Sequence, residues 1–209
     1  MLTLRKYFTL SIVASVFGLV LGFGSIASAE LVSPVGIALL DLNGFHAEFP
    51  GSESSVCGVR LTILRSVNKE VCGVDLGLLV SGTAGNFTGV GLSGVANIVA
   101  GRARIVGLQA AGLINLDGQA SILGLQLALV NRVLNDGTVV GGQLAIWNGA
   151  PKTDIYGFQL SAFNQAHKVV GFQIGLLNVT DELHGIQIGL FNINRNGIIK
   201  AFPGLNASF

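Results

Sequence analysis

A short unit recurs down the second half of this chain at nearly regular intervals. Gly124-Leu125-Gln126-Leu127-Ala128-Leu129-Val130-Asn131 returns as Gly141-Gly142-Gln143-Leu144-Ala145-Ile146-Trp147-Asn148 and again as Gly157-Phe158-Gln159-Leu160-Ser161-Ala162-Phe163-Asn164. Two further copies run from Gly171 to Asn178 and from Gly185 to Asn192, and an earlier one from Gly107 to Asn115. The glutamines at 109, 126, 143, 159, 173 and 187 are spaced 17, 17, 16, 14 and 14 residues apart. Worn copies begin at Gly58 and Gly73, where Arg60 and Asp75 stand in place of Gln, and another ends at Asn97. Serial units of this length mean an architecture built by repetition.

Within each unit the residues alternate with period two. From Val169 to Asn178 one side carries Val169, Gly171, Gln173, Gly175 and Leu177, and the other Val170, Phe172, Ile174, Leu176 and Asn178. Such alternation is a strand signal. Lys152, Asp154, Lys168, Asp181, Glu182 and Arg195 fall between units. The chain therefore reads as all-β, with about ten to twelve short strands.

Two architectures accept this unit. The leading expectation is an antiparallel up-and-down β-barrel of about 10–12 short strands in the outer membrane, its Phe/Ile/Leu side against lipid and its Gly/Gln side inward. The alternative is a parallel β-solenoid, in which equivalent positions stack and amides form ladders. Treating Asp117-Gly118 and Asp136-Gly137 as two-residue hairpin loops sets Gln109 opposite Gln126, and Gln126 opposite Trp147, with the Gly/Gln sides coinciding. The 14-residue units fit hairpins only with an odd-numbered loop or a bulge. A solenoid, for its part, would have to break each long strand into shorter sides. Asn131, Asn148, Asn164, Asn178 and Asn192 read as strand ends entering turns.

Residues 1–29 read as a secretory signal peptide: Arg5 and Lys6, an apolar stretch from Thr9 to Phe23, then Ala27-Ser28-Ala29 before Glu30. The exported part, 30–209, reads as a single repeat-built all-β domain. Half of the whole chain is hydrophobic, only 11% is charged, and net charge is +1. Mean hydropathy is +0.66. That balance supplies no basic field for nucleic acid. High hydropathy with no second spanning apolar run is what directs attention to a barrel and an outer-membrane location, with secretion or the periplasm as the alternative. The Leu205-Asn206-Ala207-Ser208-Phe209 ending, an aromatic closing an alternating segment, is similar to the terminal strand read by outer-membrane assembly machinery. The expected partners are thus the bilayer of the outer membrane and that machinery, through Phe209.

The serial G-x-Q-[IL]-G-L-x-N unit behind a signal peptide, with the Pro203…Phe209 ending, resembles a family of uncharacterised bacterial surface-repeat proteins. The resemblance covers most of residues 56–209, with Val59-Arg60-Leu61 and Val74-Asp75-Leu76 similar to opening units. It implies an envelope location and carries no activity, cofactor or catalytic residue to this chain.

Chemistry-bearing constellations are sparse. His46, His167 and His184 lie apart, and Gly89-Val90-Gly91-Leu92-Ser93-Gly94 matches G-x-G-x-x-G only in letters, lacking the helix and acidic residue a dinucleotide site needs. The expectation is a non-enzyme without cofactor or metal: a surface or structural barrel with room for a narrow passive pore, or alternatively a secreted or surface-attached solenoid binding module. The candidate lumen or binding row is Gln109, Gln126, Gln143, Gln159, Gln173 and Gln187, with a structural amide row as the plainer reading. Cys57 and Cys72 each precede a motif glycine. Stacked parallel units would bring them within disulfide reach, whereas a hairpin between them would hold them apart. The segment from Leu42 to Ser55 fits no unit.

Overall fold

The computed structural model describes residues 32–42 and 45–209. The signal peptide expected over 1–29 lies outside the described residues. Fifteen strands follow one another: β1 (Val32–Leu42), β2 (Phe45–Phe49), β3 (Ser55–Thr62), β4 (Arg65–Asn68) and β5 (Val71–Gly77). Next come β6 (Val80–Thr83), β7 (Phe87–Ser93), β8 (Ala96–Ala111), β9 (Ile114–Leu127) and β10 (Val130–Val133). The last are β11 (Gly137–Leu144), β12 (Trp147–Leu160), β13 (Phe163–Ile174), β14 (Leu177–Asn194) and β15 (Ala201–Ser208).

These strands form a parallel β-solenoid of about 8 turns, which overturns the antiparallel barrel. Like letters sit on like letters: Gly157, Phe158, Gln159 and Leu160 lie beside Gly171, Phe172, Gln173 and Ile174, which lie beside Gly185, Ile186, Gln187 and Ile188. The two expected hairpins are absent. Asp117 falls inside β9, and Asp136 sits in the bend just before β11. Gln109 does lie opposite Gln126, but in a parallel register, and Gln126 pairs with Gln143 instead of Trp147.

The coil from Phe163 to Leu176 shows how 14 residues close a turn. Asn164, Ala166, Val169 and Gln173 point inward and are buried. Lys168 and Glu182, side by side on adjacent coils, mark a bend, and Gly175-Leu176 makes another. That second bend absorbs one residue of phase. Gln173 and Asn178, five apart and so on opposite sides of a straight strand, are both wholly buried. Of the asparagines expected in turns, Asn131, Asn148, Asn164 and Asn178 are instead the second residue of the following strand and Asn192 lies within β14, all facing inward.

Gly171 explains why the unit opens on glycine. Its φ is +135°, and a Cβ there would lie 2.0 Å from the carbonyl oxygen of Gly157, one coil below. Gly58, Gly73, Gly89, Gly107, Gly124, Gly141, Gly157 and Gly185 share its register along the stack and its positive φ. Only glycine accepts both the left-handed backbone and the close stacking.

Both ends of the parallel stack meet an antiparallel strand: β2 on β1 at one end, and β15 on β14 at the other. The segment from Leu42 to Ser55, opaque in sequence, supplies the first of these. Phe209 follows β15 and is 94% exposed. The reading of it as the terminal strand of a barrel has no counterpart here, because β15 covers the last coil.

Candidate functional site

Columns of stacked side chains fill the interior, three of them long and uniform in chemistry. An apolar column runs in register from Val56 through Val71, Phe87, Ile105, Ile122, Val139, Ile155 and Val169 to Leu183, every one buried. Beside it the six glutamines stack. Five of them donate from Nε2 to Oε1 of the glutamine below: Gln126 to Gln109, Gln143 to Gln126, Gln159 to Gln143 and Gln173 to Gln159, all at 2.8 Å, and Gln187 to Gln173 at 2.7 Å. The third column is the asparagine row from Asn97 through Asn115, Asn131, Asn148, Asn164 and Asn178 to Asn192, with amide-to-amide bonds of 2.8–3.0 Å. A stacked amide both donates and accepts along the coil axis, which satisfies a polar group without water.

This geometry bears directly on the candidate row. The six glutamines face the interior, as an inward Gly/Gln side requires, but they line no passage. Each is 0–2% exposed and bonded to its neighbours, so the row offers no surface to a ligand.

Towards the N-terminal end the glutamine column changes chemistry. Gln109 is followed in register by Gly91, Asp75 and Arg60. Phe87 fills the space at Gly91, its ring lying 2.9 Å from where a Cβ would stand. Arg60 and Asp75 form a two-point ion pair, Nε to Oδ1 at 2.8 Å and Nη2 to Oδ2 at 2.6 Å. Arg60 Nη1 donates to Asn68 Oδ1 and to the Gly82 carbonyl, so this buried charge is well partnered. The two worn units are thus one matched pair. On the same two coils, on the outer side, Cys57 and Cys72 occupy equivalent positions with Cα atoms 4.5 Å apart and are joined by a disulfide.

Asp117 is a fully buried carboxylate with no cationic side chain acting on it. Its column holds Val99 on one side and Val133 on the other. Oδ2 accepts a hydrogen bond from Gln126 Nε2 at 2.5 Å. Burial pushes the carboxyl up to about 7, with the hydrogen bonds from the neighbouring glutamine side chains pulling the other way. Sequence reasoning took Asp117 for a turn residue because Asp-Gly is a strong hairpin signal. Its place in the asparagine-led segment, two residues after Asn115, is the signal that would have put it inside.

The outside is inverted in chemistry. Val59, Val74, Val90, Leu125, Phe158 and Phe172 share one exposed row. Ile37, Leu61, Leu76, Leu127, Leu160 and Ile174 belong to the next. Beyond the bend lie Leu113, Leu129, Ile146, Leu176 and Leu190, and then Trp147, Phe163 and Phe191, all exposed. A shallow concavity of about 630 Å³ lies over Leu61, Leu76, Leu92, Ala110 and Leu127.

The charges gather at the other bend. There His167 meets Asp154 at 2.9 Å, Arg195 meets Asp181 at 2.9 Å, and Lys168 meets Glu182 at 3.6 Å. Hydrogen bonding to Asp154 raises the affinity of His167 for its proton. His184 is exposed on the adjoining row and shares no site with His167. Among the described residues no group of three His, Cys, Asp or Glu side chains is placed to hold a metal ion. Comparison with known proteins finds no matching family model, curated protein or solved structure.

Proposed function

We propose that this chain is an exported, non-enzymatic β-solenoid of the cell envelope, secreted or surface-attached, that acts as a binding scaffold through its apolar outer flanks. One observation carries the reading: large apolar side chains are aligned in exposed rows over the length of the stack. Exposed apolar area that is continuous on this scale marks an interaction surface. The amide rows, by contrast, are consumed by their own ladders. Export is supported by the charged start, apolar stretch and Ala27-Ser28-Ala29 site, and the Cys57–Cys72 disulfide suits an oxidising compartment.

The test is fractionation. The wild-type chain is expected to sediment with the envelope and to be freed by detergent. Leu76→Lys together with Leu92→Lys, two exposed positions on one row, is expected to move it to the soluble fraction while its melting curve stays in place. A wild-type chain that is soluble and engages nothing through its flanks, or a doubly charged variant that still sediments, would sink the reading.

A further inference from the structure

The apolar surface is not one face but two, meeting at a ridge. The ridge is the bend that carries Ile146, Leu176 and Leu190, the last two 53% and 62% exposed. On one flank stand Phe172, Ile174 and Ile188, and on the other Phe163 and Phe191. The charged bend with Lys168 and Glu182 lies about half a coil away from this ridge. The cross-section is therefore a wedge, greasy at one edge and on both flanks, and charged along the opposite edge. A second protein surface seats against one flank at a time. A fluid apolar phase covers both at once.

Two further observations favour such a phase. First, Trp147 and Tyr156 are the only Trp and Tyr among the described residues. Both lie in β12: Trp147 shares the exposed row of Phe163 beside the ridge, and Tyr156 stands two residues beyond Asp154, where apolar surface gives way to the charged edge. The Arg132 guanidinium lies 5.9 Å from the Trp147 ring centroid. Aromatic side chains with a polar handle gather at the boundary between hydrocarbon and headgroups. Second, the charged edge, where three ion pairs join His167 to Asp154, Lys168 to Glu182 and Arg195 to Asp181 and where Arg102, Arg104 and Lys152 are also exposed, stands on the side away from the ridge. Its charges do not meet a surface seated on the ridge, so attachment there rests on burial.

Resting on the scaffold reading above, we infer that the partner is a phospholipid bilayer. The solenoid lies along it, with the Leu176 ridge and its flanks, Trp147 among them, in the outer acyl region, Tyr156 at headgroup level, and the Lys168 edge in water. This is peripheral seating to a depth of roughly 5–10 Å, as for an interfacial amphipathic helix. The parallel stack suits the position because its backbone groups pair between coils and present none to lipid along the flanks.

The exported chain, with its N-terminus confirmed by mass spectrometry, is mixed with phosphatidylcholine vesicles and floated. The expected result is co-flotation that persists in 1 M salt. It should come with a blue shift of the single Trp147 and stronger quenching by lipids brominated near the headgroup than by those brominated at the chain end. Leu176→Lys with Leu190→Lys should weaken flotation at least tenfold with circular dichroism unchanged. The proposal is overturned if neutral vesicles leave the chain behind, if binding appears only on anionic vesicles and salt reverses it, or if the ridge variant floats undiminished. Sedimentation without lipid separates this failure from failure of the scaffold reading. Flank-dependent self-association with no flotation would leave a docking surface whose occupant is a second copy. Loss of both would remove the scaffold reading as well.

Discussion

Asp117 sits at a position that its column otherwise gives to valine, alanine, threonine or asparagine, and its consequence can be worked out in sign. In the unfolded chain the carboxyl has its ordinary value of 3.8, and in the folded chain burial lifts it to about 7. Between those values the unfolded state releases a proton that the folded state retains. Stability therefore falls as pH rises from about 4 to about 7, and changes no further from this group above that. Asp117→Asn keeps an amide-bonding shape and removes the charge. At pH 8 it is expected to stabilise the fold by up to about 4 kcal/mol, and at pH 4 by little. Urea midpoints at the two pH values check this, and an equal shift at both would contradict it. Gln143 is the contrasting case. It donates to Gln126 and accepts from Gln159, so its burial is matched on both sides, and the sequence already pointed to an inward Gly/Gln side.

At the scale of elements, direction of pairing was the hidden variable. Period-two alternation places Phe158 outward and Gln159 inward whether the neighbouring strand runs parallel or antiparallel. Asp117-Gly118 imitates a hairpin turn, and only the long-range register shows that β9 continues through it. The Cys57 and Cys72 positions carried the opposite hint, since equal phase in successive units is what stacking requires. The end strand β15 gives the test that belongs here. It pairs with β14 over Gly185–Ile193 and places Pro203, which has no N–H to donate, in an edge strand. A chain ended after Lys200 exposes the β14 edge and is expected to associate with concentration in analytical ultracentrifugation. A truncated chain that stays monomeric throughout would deny β15 a capping role.

As a whole molecule the solenoid is close to one-dimensional, each coil touching only those before and after it. Disturbance at one rung should therefore stay local. The disulfide spans a sequence separation of 15, a loop whose closure is worth about 3 kcal/mol. Reduction is expected to speed hydrogen exchange in β3 and β5 while leaving β12 to β14 unchanged. Uniform acceleration along the chain would mean that the stack opens as one unit. The same geometry puts every coil's outer residues in rows, so that one repeated Leu or Phe becomes a continuous apolar flank.

The sequence by itself determined that the chain is all-β, that it is made of repeats, and which side of each segment carries amides and which carries Phe, Ile and Leu. These are local properties, written in alternation and spacing. Only the tertiary structure decided that the repeats stack in parallel, that bends such as Gly175-Leu176 shift phase and turn the asparagines inward, and that Asp117 lies in the core. Those outcomes depend on which segment becomes the neighbour, and that choice is made by the summed fit of glycine arches, amide ladders and apolar columns between coils some 14–18 residues apart.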